Sequence, residues 1–237
     1  MTFHVITLFP ELVEQCCNSS IIGRAFGNGV INLELINLRD FAINSYGSVD
    51  DYTYGGGAGM LIACEPVYNA YQKIMEKLPG GSSVRTIYTT PQARVFTQTD
   101  AKELSRENDD IIFICGHYEG IDERVLQKIV TDYYSIGDYV LTGGELPVAV
   151  IIDAVARLIP GVLNNDESAE TESFNDGLLE YPQYTRPKVW QEMEVPPVLL
   201  SGDHKKVGEW RHFMAKERTK ERRPELYTKY LEERGIW

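Results

Sequence analysis

The chain has 237 residues, 43% hydrophobic and 24% charged, the balance of a globular protein long enough to bury a core without cross-links. No apolar run approaches the ~18 residues of a membrane-spanning helix, no secretory signal follows Met1, and Cys16, Cys17, Cys64 and Cys115 show no Cys-x-x-Cys spacing, so a reduced, cytoplasmic protein is expected. The net charge of −12 is uneven: residues 204–237 hold ten Lys/Arg against six Glu, and the remainder is strongly acidic. Such a tail either steers a polyanion to one end of the molecule or is a solvated helix rich in Glu/Lys pairs.

Residues 3–9 read as a strand stopped by Pro10, and 30–38 as a second, largely apolar one. Glu65-Pro66 opens a helix with proline at its first position, running to about Leu78 before Pro79-Gly80-Gly81 breaks it. Residues 84–90 form a strand ending at Pro91, 97–107 a helix, and 110–115 a strand running into Gly116. Strands alternating with helices predict a mostly parallel α/β sheet. Residues 145–159 are apolar nearly all round, as in a helix buried in a core or a subunit interface, with Asp153 and Arg157 four apart and close enough to pair. The polar, acidic stretch 164–175 reads as a flexible interdomain linker. Beyond it Asp203 caps a basic helix from His204 to about Lys220, and Pro224 starts a last helix to Arg234. The expected organisation is an α/β domain over 1–163, the linker 164–175, and a mainly helical basic domain over 176–237.

Several chemistries lack their signatures. The glycine run from Tyr54 to Met60 has neither the Gly-Lys-Ser/Thr ending of a phosphate-binding loop nor the G-x-G-x-x-G fingerprint, and Gly143-Gly144 lacks them too. There is no G-x-S-x-G elbow and no H-E-x-x-H, and Cys115-x-His117 alone is too few ligands for a metal site. Two glycine-rich segments remain, Cys115 to Arg124 after a strand and Ser135 to Glu145 before the apolar helix. Glycines at strand ends let a ligand approach the backbone, whose amides and carbonyls can read an adenine edge; the alternative is a pair of tight turns.

Those segments, with Leu8-Phe9-Pro10-Glu11, Arg39-Asp40-Phe41, Tyr54-Gly-Gly-Gly, Pro91-Gln92, Tyr184-Thr-Arg-Pro187 and Arg222-Arg-Pro-Glu-Leu226, occur in an order that resembles the bacterial tRNA (guanine-N1)-methyltransferases over essentially the whole chain. The resemblance implies the knotted SPOUT class: a mostly parallel α/β sheet with a deep C-terminal trefoil knot, then a small helical domain. It implies a cytoplasmic homodimer with composite active sites, S-adenosylmethionine as donor, guanine 37 of tRNA as substrate, and magnesium assisting without a dedicated protein cage. By the same resemblance Pro91, Gly116, Tyr118, Ile136, Gly137, Asp138, Tyr139, Val140, Leu141, Gly143 and Gly144 surround the cofactor, while Glu172, Arg157 and Glu119 are catalytic. Glu172 occupies the position where the family commonly has Asp, and Ala93 and His117 stand where it often has Gly and Arg. Lys205, Lys206, Arg211, Lys216, Arg218, Arg222 and Arg223 are the expected phosphate contacts. The competing readings are a tRNA-binding protein that has lost turnover, and a nucleotide-dependent oxidoreductase on an open parallel sheet.

Overall fold

The computed structural model describes residues 1–44, 46–56, 59–107, 110–163, 172–174 and 176–236. The chain divides into two compact units, Met1–Asn164 and Asn165–Trp237. Most of the expected linker, 164–171 and 175, lies outside the described residues.

The first unit is built on a five-stranded sheet of β1 (Thr2–Thr7), β2 (Asn32–Asn37), β5 (Val84–Thr89), β6 (Asp110–Ile114) and β7 (Asp132–Tyr134), in the order β2-β1-β6-β5-β7 with every pairing parallel. A parallel sheet needs both faces covered, and alternate residues of the central strands do this. Phe3 and Val5 of β1 and Ile111 and Phe113 of β6 join one core, while Ile6, Ile112 and Ile114 join the other. The first core is closed by α1 (Pro10–Cys17), α2 (Ser20–Gly27), α4 (Gln98–Glu107) and α6 (Glu145–Ala156), the second by α3 (Cys64–Met75) and α5 (Glu123–Ile129). At the N-terminal ends of the strands the buried His4 ring clamps three of them: Nδ1 faces Glu34 Oε2 at 2.8 Å and Nε2 faces Asp110 Oδ1 at 3.1 Å. A separate hairpin, β3 (Asp50–Tyr52) and β4 (Met60–Ile62), is tied to the loop after β6, with Ile62 N–H donating to Gly120 O at 3.0 Å.

The second unit holds a short hairpin, β8 (Val189–Trp190) and β9 (Met193–Glu194), and two helices, α7 (His204–Arg222) and α8 (Pro224–Glu233). Asp203 caps α7 by accepting from Lys206 N–H. Leu178, Ala215 and Tyr230 form its small core. The Thr219 hydroxyl, fully buried, accepts from Leu179 N–H at 2.8 Å and donates to Ala215 O at 2.6 Å, joining α7 to the segment before it.

The apolar helix is shorter than expected: it stops at Ala156, with Arg157 as its C-cap. Within the single chain Leu146 and Val150 remain 46% and 51% exposed on one side.

Candidate active site

A cavity of about 560 Å³ lies beyond the C-terminal ends of β5, β6 and β7, the edge where open α/β sheets receive ligands. Three chain segments wall it: 88–93, 116–121 and 133–144. Main-chain bonds hold them together. Thr90 N–H donates to Tyr134 O at 2.9 Å, Ser135 N–H to Arg94 O at 2.9 Å, and Phe96 N–H to Ser135 O at 2.8 Å, so the 90–96 loop grips residues 134–135 from both arms. Gly144 N–H then donates to Gly116 O at 2.9 Å, which brings the second glycine-rich segment onto the first.

The glycines of this region are required by space. A Cβ on Gly116 would stand 2.7 Å from the Tyr88 hydroxyl, and one on Gly144 would stand 2.8 Å from Cys115 Cα. Side chains at either position would have to displace the wall. Tyr118, in contrast, is held at φ 58°, a left-handed conformation that costs a non-glycine residue roughly 1–2 kcal/mol and recurs at functional sites.

Of the residues assigned to the cofactor, Pro91, Gly116, Tyr118, Ile136, Gly137, Tyr139, Val140, Leu141, Gly143 and Gly144 all line this cavity; Asp138 does not. The wall also includes Tyr88, Thr89, Thr90, Tyr133, Tyr134 and Thr142, which sequence reasoning passed over. Their signal was weak: the first five belong to strand ends that look like core, and β7 is only three residues long. Burial, with Glu123 and Tyr133 adding to it, pushes the Tyr88 phenol up to about 12, so it remains a proton donor at neutral pH. Burial, reinforced by Glu145, pushes the thiol of Cys115, buried next to the wall residue Gly116, well above its ordinary value, which makes it an unreactive core group rather than a nucleophile.

The catalytic candidates are distributed. Glu119 lines the cavity, and its side chain lies over Gly59, whose φ of +93° and missing Cβ make room for it. Arg157 is half-buried at the far end of α6 and is not part of the cavity wall. At 1.5 Å of rise per residue, the helix sets it about 20 Å from the Gly143–Gly144 turn. Glu172 belongs to the second unit. The segment behind it is pinned there: Ser173 Oγ accepts from Glu180 N–H at 3.0 Å, and Phe174 N–H donates to Leu178 O at 2.8 Å.

Among the basic candidates Lys205, Lys206, Arg211, Arg222 and Arg223 are exposed, while Lys216 and Arg218 are half-buried. Arg218 donates to Glu180 O at 3.1 Å and the Arg211 guanidinium lies 4.8 Å from the Tyr181 ring centre, so both also stabilise the fold. Trp210 packs beside Tyr184, and Tyr227 stacks on Tyr230. No group of three or more His, Cys, Asp or Glu side chains suited to a metal occurs among the described residues. Among them, too, no helix is long and apolar enough to cross a membrane.

A family model described as tRNA (Guanine-1)-methyltransferase TrmD matches residues 1–229. Three similar curated proteins carry the name tRNA (guanine-N(1)-)-methyltransferase. One from Lachnospira eligens is 54% identical over 231 residues, covering 98% of this chain and 97% of the relative. One from Clostridioides difficile is 52% identical and covers 97% and 98%. One from Staphylococcus epidermidis is 52% identical and covers 97% and 92%.

Proposed function

This chain belongs to the tRNA (guanine-1)-methyltransferase family, and we propose that it moves a methyl group from S-adenosylmethionine to N1 of guanine 37 in tRNA, beside the anticodon. The observation that carries the reading is the glycine-walled cavity. Its volume of about 560 Å³ suits a nucleoside-sized ligand. The glycines leave its backbone amides and carbonyls approachable, and two buried polar atoms of its wall residues, Thr89 Oγ1 and His117 Nδ1, have no protein partner. These residues fit S-adenosylmethionine, which when bound supplies an electrophilic methyl on a sulfonium sulfur.

The chain's own residues do the rest. Guanine N1 carries a proton, so its lone pair is unavailable until a base removes that proton; Glu172 takes this role. As the proton leaves, charge grows on the guanine O6, where the Arg157 guanidinium stabilises it. Glu119, on the cavity rim, orients donor or base. Arg157 lies about 20 Å along α6 from the glycine turn, beyond the reach of one side chain, so the Arg157 that serves a given cavity comes from a second copy. Exposed Val140, Leu141, Leu146 and Val150 offer that copy an apolar surface, and the active unit is a homodimer with composite sites. The grip of the 90–96 loop on residues 134–135, followed by the return of the chain to Gly116, supports a trefoil thread at the end of the first unit. The exposed Lys and Arg of α7 and its C-terminal end bind RNA phosphates, and the target base leaves its loop to enter the cavity. Substrate and free thiols suit the cytoplasm.

The test is Glu172→Gln with mass spectrometry of tRNA treated with donor and protein. Methylation should be abolished while donor affinity stays within about twofold, and Glu172→Asp should support transfer. If the wild-type chain binds donor and tRNA without forming product, the reading fails in favour of a binding protein that has lost turnover, which the Glu-for-Asp difference at 172 would explain. A fully active Glu172→Gln variant assigns the proton to another base.

A further inference from the structure

Beneath the cavity lies a carboxyl group that the reaction does not use. Glu145 opens α6 and is 2% exposed, although a buried carboxyl group is costly unless it is hydrogen-bonded. Its Oε1 accepts the hydroxyl hydrogen of Thr7 at 2.7 Å, joining residues 138 apart in sequence. Thr7 is fully buried at the end of β1, and its Oγ1 in turn accepts Phe9 N–H at 2.9 Å. The other carboxyl oxygen, Oε2, fills the space directly against Gly143, where a side chain on that glycine would have to go, and the His117 ring closes the same space from a second direction. Phe9 packs on that ring with centroids 5.0 Å apart. The Gly143–Gly144 turn therefore rests on a layer made of Thr7, Phe9, His117 and Glu145. Its upper side faces the cavity.

We infer that Glu145 is a positioning residue for the methyl-donor site: anchored by Thr7 on the central strand, it sets the height of the Gly143–Gly144 turn that borders the cavity. This rests on the reading of that cavity as the donor site. The chemistry suits the task. An apolar side chain would fill the space at lower desolvation cost but could not be fixed to β1 by a directional bond, and a turn free to settle by 1 Å would lose its register with a bound nucleoside. Thr7 is the informative handle, because it does not line the cavity and Thr7→Val preserves its shape.

The experiment measures S-adenosylmethionine binding by calorimetry on the full-length protein, alongside melting temperature and steady-state rates at saturating donor. Thr7→Val should weaken donor binding about 5- to 10-fold, the effect of losing one hydrogen bond to a carboxyl group. Its kcat at saturating donor should stay within about twofold and its KM for tRNA should not move. Thr7→Ser should restore the affinity. Glu145→Met, which fills the space without accepting the Thr7 hydroxyl, should weaken donor binding at least as much, and the double variant should lose less than the two single losses combined, because both act through one link. A Thr7→Val variant that melts earlier yet binds donor as tightly as wild type would overturn the inference, as would fully independent losses in the double variant. Absence of donor binding by the wild-type protein would instead overturn the reading of the cavity.

Discussion

Gly144→Ala tests the geometry of the cavity most directly. Gly144 has φ −83° and ψ −8°, a conformation alanine adopts freely, so the substitution carries no backbone penalty and would by itself stabilise the chain by about 0.4–1 kcal/mol. The contacts decide otherwise. The new Cβ would stand 2.8 Å from Cys115 Cα and 3.0 Å from Gly116 N, against ordinary contact from 3.4 Å upward. Both neighbours are backbone at the end of β6, the central strand of the sheet, and neither can rotate away. The turn must lift by roughly half an ångström, breaking the Gly144 N–H bond to Gly116 O or straining it, at a cost of about 1–3 kcal/mol for an overpacked site. Because the same turn borders the cavity, S-adenosylmethionine affinity should fall about 10-fold or more. Thermal denaturation and calorimetric titration read the two effects. Gly208→Ala is the control: it lies inside α7 with nothing within 4 Å of its added Cβ, and should raise stability by about 0.5–1 kcal/mol with donor affinity unchanged. A Gly144→Ala protein with wild-type melting and wild-type affinity would refute the packing argument.

Two other predictions concern charge. Arg124, by hydrogen bonding, holds the Asp122 carboxyl well below the usual range; burial alone would raise Asp100 and Glu34, but the hydrogen bonds of Arg94 and Thr97 to the first, and of Lys77 and His4 to the second, outweigh it and hold both low. Carboxyl groups with lowered folded-state values stabilise the protein above their unfolded values and lose that contribution as pH falls, so denaturation midpoints should drop steeply below about pH 4. Asp100→Asn should be less stable than wild type at pH 7, with the gap narrowing toward pH 2; a constant gap would contradict the assignment. Charge reversal at Arg222 and Arg223 should weaken tRNA binding and reduce the slope of its salt dependence by about 2, and an unchanged slope in a filter-binding titration would remove these residues from the RNA contact.

How far the fold could be read from the residues depended on segment length and on how completely a segment is buried. The apolar run of β6, the β-branched and aromatic residues of β1 and β5, and the proline-marked starts of α3 and α8 stand out because buried strands and first-turn prolines leave strong local traces. α1 and α2 went unread, being only eight residues each and joined by Asn18-Ser19, as did β7 and the hairpin β3–β4, where three-residue strands carry too little periodicity. The glycine segments could be recognised as a site, but not the reason for each glycine. Gly116 is required by Tyr88, 28 positions earlier, and Gly59 by Glu119, 60 positions later, relations that exist only after folding. The same holds for Glu145, which in sequence is one more acidic residue at a helix start and in space is the partner of Thr7.

The length of α6 has a consequence for how such a protein behaves on dilution. A stiff rod fixes the guanidinium at one end and the donor turn at the other, and no hinge within one polypeptide can fold the two together. On the proposed composite site, capture of the sulfonium compound would be a property of each subunit, whereas turnover would belong to the pair. Lowering the protein concentration through the point of dissociation should separate the two: ligand uptake per chain should stay level while specific activity decays.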